Sequence, residues 1–78
     1  MREFAIRLST VEDVRNFVCV ATVQPFEVFV GTERQTVSAK SFMGIFSLNL
    51  RETLRVCMEC SEEEFMAFRG EASPFLAT

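Results

Sequence analysis

Four places in this 78-residue chain carry side chains that could do chemistry: Ser41 beside the only lysine, Lys40; the pair Cys57 and Cys60; the run Glu62, Glu63 and Glu64; and Ser9-Thr10 followed by Glu12 and Asp13. Histidine is absent. That removes the usual general base, any Ser-His or Cys-His nucleophile and any imidazole acceptor for a phosphoryl group. The two cysteines have the C-x-x-C spacing, but TLRVCMEC alternates as a strand, and residues three apart on a strand point to opposite faces. Two thiols so placed do not chelate one metal ion, and no second pair or histidine completes a zinc set. The three glutamates follow Ser61 and precede Phe65, the pattern of a first helical turn in which Ser61 and Glu64 form a capping box. An enzyme is therefore not expected, nor is a metal or a cofactor.

Ser41 is different, because it opens the run AKSFMGIFSL. A serine before an apolar helical run is a natural N-cap, its hydroxyl accepting from an amide of the first turn. A phosphate on that serine would meet the same free amides and would add about −1.5 to −2 charges beside an apolar surface. The run itself holds more apolar side chains than a short helix needs for a core. Ile45 and Leu48 fall on one face, with Leu50 following. Phe42, Met43 and Phe46 share the other side, which reads as a docking patch.

Composition sets the outer limits. A net charge of −3, with one lysine and no basic cluster, argues against direct nucleic-acid binding. The opening MREFAIRLST alternates charged and apolar residues and lacks a signal peptide's apolar stretch, and no run is long enough for a membrane span. Three cysteines, an odd number, suit a cytoplasmic protein with free thiols. At 78 residues, 49% of them hydrophobic and nine of them phenylalanine, the chain is expected to form one domain, 1–78, with a compact core.

The elements that must position these groups follow from periodicity. Phe4, Ile6 and Leu8 alternate as a first strand. Ser9 or Thr10 caps a helix whose apolar face is Val11, Val14, Phe17, Val18 and Ala21, and which Pro25 stops. FEVFV is a second strand, Gly31 to Arg34 a turn, and TVSA the returning strand of a hairpin. After the short helix at Ser41 comes a fourth strand, with Leu54, Val56, Met58 and Cys60 on one face. A last helix then uses Phe65, Phe68 and Ala72 and weakens at Gly70, Ser73 and Pro74. The order β-α-β-β-α-β-α predicts an α+β fold with helices on one face of a mostly antiparallel sheet. Periodicity leaves open whether the strand order is ferredoxin-like or another.

At VSAKSFMGIFSLNL the chain resembles HPr, the small phosphocarrier of the bacterial sugar phosphotransferase system. Lys40, Ser41, Met43, Gly44, Ser47 and Leu48 match every fixed place of that family's regulatory motif, Lys-Ser-x-Met-Gly-x-x-Ser-Leu. The similarity runs without a gap from about Phe17 to Cys60, while the first loop and the last helix are shorter. It implies an open-faced β-sandwich, a four-stranded antiparallel sheet covered on one face by three helices.

It also implies Ser41 as a regulatory phosphorylation site. Lys40, Phe42, Met43, Phe46 and Ser47 would form the partner-binding surface for an HPr serine kinase and a catabolite-control transcription regulator. Elsewhere the pattern breaks. Thr10 falls where the family's phosphate-accepting histidine stands, Glu12 where its arginine stands and Asp13 where its proline stands. Two carboxylates in that turn oppose a bound phosphate. The chain is thus similar to the histidine-less type, like the catabolite-repression HPr homologue, and a regulatory or adaptor role is expected. The alternatives are a small-ligand-binding domain or a homodimer formed through the patch.

Overall fold

The computed structural model describes residues 1–77. Its elements are β1 (Arg2–Ile6), α1 (Val11–Thr22), β2 (Val28–Gly31), β3 (Thr36–Ser38), α2 (Phe42–Phe46), β4 (Leu54–Met58) and α3 (Glu62–Glu71). A single 3-10 turn, Ser73–Phe75, follows α3. The strands form one sheet in the order β1-β4-β2-β3, and each adjacent pair is antiparallel. This is the α+β architecture expected, and it settles the strand order that periodicity left open.

Alternation decides which face is covered. Phe4, Ile6, Val28, Val30, Leu54, Val56 and Met58 point to one side and are buried against the helices. Glu3, Phe29, Arg55 and Cys57 point to the other side, the open face, and are exposed or half-buried. Each large side chain fully removed from water contributes about 1.5–3 kcal/mol. Phe68 of α3 gathers the aromatic part of the core, its ring centroid 5.5 Å from Phe4, 6.0 Å from Phe26 and 6.4 Å from Phe17. Phe26 does this from just outside β2 rather than from within the strand.

Both long helices begin with reciprocal caps. At α1 the cap is Thr10, not Ser9: its Oγ1 accepts from the Asp13 amide at 3.0 Å, and Asp13 Oδ2 accepts from the Ser9 and Thr10 amides at 2.9 and 3.3 Å. At α3, Ser61 and Glu64 form the predicted box. One expectation needs correction here. Val11, placed on the apolar face of α1, is 54% exposed because it is the first residue after the cap, while Leu8, two residues before the cap, is buried. The end of α3 falls at Glu71, one residue past Gly70 and just before Ser73 and Pro74.

The C-terminal segment was not foreseen as structure. Phe75 is buried with its ring 5.9 Å from Phe17, and Leu76 forms an antiparallel bridge with Ile6. The Arg7 amide donates to the Phe75 carbonyl at 2.8 Å and the Ala77 amide to that of Ala5 at 3.0 Å. These bonds cover the C-terminal part of the outer edge of β1, which would otherwise present unpaired backbone groups.

Candidate functional site

Ser41 stands between β3 and α2 with extended backbone (φ −105°, ψ 108°), and its side chain is exposed. Its Oγ accepts from the Gly44 amide at 3.1 Å, and its carbonyl accepts from the Ile45 amide at 3.1 Å. The residue three after the cap is therefore glycine, where α1 has Asp13 and α3 has Glu64. Space favours it: a Cβ on Gly44 would lie 3.0 Å from Ser41 Oγ and 3.4 Å from Val37 Cβ, so those neighbours would have to give by a few tenths of an ångström. Glycine lets α2 settle close against β3 and leaves the cap hydroxyl without a carboxylate beside it.

The segment divides into a buried and an exposed side much as the spacing predicts, although α2 itself ends at Phe46. Ile45 on the helix and Leu48 in the turn after it are buried, and Leu50 packs on the core from a half-buried position. Met43 is 74% exposed and Phe46 37% exposed. Phe42 is only half-buried and packs on the edge of the core, so it belongs to both faces. Its ring meets that of Phe46 edge-to-face at a centroid distance of 4.8 Å. The structure thus brings Ser41, Met43, Phe42 and Phe46 onto one small helical surface.

Lys40 and Ser47 are both hydrogen-bonded within the fold. Lys40 Nζ donates at 3.0 Å to the Gln24 carbonyl, just past the end of α1. That helix has no basic residue in its last turn, so Lys40 supplies the cation its C-terminal end favours. Ser47 closes α2: its hydroxyl donates to the Gly44 carbonyl at 2.6 Å and accepts from Gln35 Nε2 at 3.1 Å. Both of its hydrogen-bonding roles are in use, while the Ser41 hydroxyl proton has no acceptor among the described residues.

Thr10, which the resemblance sets at the place of the HPr histidine, is the N-cap of α1 and exchanges hydrogen bonds with Asp13. The Asp13 carboxylate lies against the amides of Ser9 and Thr10, so the start of α1 already holds an internal anion. Glu12 adds a second, exposed carboxylate to the same turn.

The cysteines are separated as the strand pattern predicts. Cys57 lies on the open face, its thiol 3.8 Å from Glu3 Oε2, whereas Cys60 follows β4 and packs partly on the core. Burial, and then the Glu3 carboxylate, push the Cys57 thiol above its ordinary pKa. Burial, and then Glu64, do the same to Cys60. Neither is an activated thiolate. No group of three metal-binding side chains gathers among the described residues, and no helix is long and apolar enough to cross a membrane.

No protein-family model matches the sequence, and no curated protein matches it significantly. Solved structures do match. The chain superposes on HPr-C-His from Thermoanaerobacter tengcongensis with a TM-score of 0.71 at 23% identity, over 94% of this chain and 97% of that one. At that identity the likeness establishes architecture, so the strand order, the open sheet face and the three covering helices of this chain are those of an HPr fold.

Proposed function

We propose that this chain is a non-catalytic regulatory or adaptor protein related to the phosphotransferase system, acting through Ser41 and the adjoining surface of Phe42, Met43 and Phe46. The observation that carries the reading is the exposed Ser41 hydroxyl at the start of α2, next to exposed Met43 and Phe46, with no carboxylate in that turn. A phosphate there would keep the acceptor role that Oγ now plays toward Gly44 and would add charge at the rim of an apolar patch. A partner that meets the patch with acidic or apolar groups is repelled, and one that brings arginine is attracted. Lys40, tied to Gln24, does not neutralise the new charge. The partners are proteins of the phosphotransferase and catabolite-control type, namely an HPr serine kinase and a transcription regulator, and the setting is the bacterial cytoplasm.

The absence of histidine supports the same reading from the other side, since Thr10 with Glu12 and Asp13 makes no phosphocarrier site. The test pairs two incubations. With an HPr serine kinase and ATP, mass spectrometry is expected to locate one phosphate, on Ser41. With enzyme I and phosphoenolpyruvate the chain is expected to stay unmodified. Phosphate on Ser47 or Ser38 instead, or none with a kinase active on its own HPr, would reduce Ser41 to a helix cap.

A further inference from the structure

Three of the chain's eight cationic side chains converge on the open face of the sheet, the face opposite the helices and Ser41. Arg55 stands on β4 between Ala5 of β1 and Gly31 of β2, its partners in the ladder. With such small neighbours the floor stays low on both sides of the arginine. Arg7 enters from the chain just beyond β1, and Arg51 from the loop that precedes β4. Together they line a half-open groove of about 540 Å³, inside the range of about 300–1,000 Å³ found for small-molecule sites.

The walls are fixed. The Arg7 amide is bonded to the Phe75 carbonyl, and the Arg51 amide to Asn49 Oδ1 at 3.1 Å. Asn49 Nδ2 in turn holds Glu52 Oε2 at 3.1 Å. The guanidinium groups are less satisfied than their backbone. Arg55 has one loose ion pair, Nε to Glu3 Oε1 at 3.6 Å, and neither Arg7 nor Arg51 is in an ion pair among the described residues. A chain of net charge −3 has thus placed three arginines on one groove, with Glu33 and Glu52 beside them.

The two carboxylates on the wall narrow the choice of ligand. Glu52 Oε2 is engaged by Asn49, and Glu33, exposed in the turn between β2 and β3, is in no ion pair among the described residues. Guanidinium forks suit the oxygens of a phosphate or carboxylate. A free carboxylate a short way off repels a bare polyanion but accepts a hydrogen bond from a hydroxyl. We propose that this groove binds a small phosphomonoester that also carries hydroxyl groups, its phosphate held by Arg7, Arg51 and Arg55 and a hydroxyl by Glu33. The site lies on the far side of the sheet from the docking patch and stands or falls independently of it.

The experiment is a titration of the ¹⁵N-labelled protein at constant ionic strength with glycerol 3-phosphate, inorganic phosphate and glycerol. Glycerol phosphate is expected to give saturable shifts centred on the amides of Gly31, Thr32 and Thr53, several-fold tighter than inorganic phosphate, and glycerol to give none. Arg51→Gln should weaken binding at least fivefold, whereas Arg69→Gln, on α3, should not change it. Glu33→Gln should remove the preference for the ester. Non-saturating shifts, or an equal loss with Arg69→Gln, would mean general charge screening and overturn the site. Equal affinity for ester and inorganic phosphate in the unaltered protein would overturn the hydroxyl contact.

Discussion

The starts of α1 and α2 are built alike and charged differently. Each has a hydroxyl cap in extended backbone that accepts from the amide three residues on. At α1 that third residue is Asp13, which closes the box, and Glu12 stands beside it. At α2 the third residue is Gly44 and the first turn has no acidic residue at all. One helix start has made its own anion part of the fold. The other has left the position open and surrounded it with apolar side chains. The resemblance to HPr points to the first as the family's phosphorylation site and to the second as its regulatory site. Here the first turn of α1 holds two carboxylates and that of α2 holds none.

The largest effects should separate the two sides of α2. Ile45→Ala and Leu48→Ala remove fully packed side chains and should each cost about 2–5 kcal/mol. Met43→Asp, at an exposed position, should stay within about ±0.5 kcal/mol. Phe46→Asp falls between, because the edge-to-face contact with Phe42 is worth about 0.5–1.5 kcal/mol. Urea denaturation of the four variants checks the order. If Met43→Asp were as damaging as Ile45→Ala, the segment would be all core and the α2 start would have no surface to regulate.

Much of this was legible in the residues. The strand alternation at Phe4, Ile6, Val28, Val30, Leu54 and Val56 named the covered face, and the capping box at Ser61 and Glu64 named the start of α3. Those signals are local, so a pattern can carry them. What escaped was set by contacts distant in sequence. Phe75 and Leu76 lie in a short stretch with a proline and no period, and only the edge of β1 makes them structural. The bond from Lys40 to the Gln24 carbonyl was not legible either, because nothing near Lys40 in the sequence points to the end of α1. The arginine groove draws on residues from the end of β1, the turn after β2 and the loop before β4, and becomes visible only once β4 is placed between β1 and β2.

Smaller effects should come from removing the caps. Loss of an N-cap hydroxyl typically costs about 0.5–2 kcal/mol. Thr10→Ala breaks one half of a reciprocal box on a twelve-residue helix, while Ser41→Ala breaks a single bond on a five-residue one. The α1 change should therefore be the costlier, and Asp13→Ala should resemble it because the Ser9 and Thr10 amides lose their acceptor. Thermal denaturation of the three variants gives the comparison directly. A Ser41→Ala loss equal to that of Thr10→Ala would show that the Ser41 cap is held by more than its bond to Gly44.

The finest test adds one negative charge to each start through a short side chain. Aspartate caps a helix about as well as serine does and slightly better than threonine, so Ser41→Asp and Thr10→Asp both keep an acceptor over the first-turn amides. At Ser41 the new carboxylate is the only anion in its turn, and it should be neutral or stabilise by about 0.3–1 kcal/mol through the helix dipole. At Thr10 it becomes the third, beside Glu12 and Asp13, and like-charge repulsion should offset the dipole and leave a net loss of a few tenths of a kcal/mol. The difference is electrostatic and lies at the surface, so raising the salt toward 1 M, where the Debye length falls to about 3 Å, should shrink it. Paired urea titrations at low and high salt would measure both the sign and the screening. If Thr10→Asp proved the more stable of the two, or if the gap survived high salt, the charge contrast between the helix starts would not be what sets Ser41 apart.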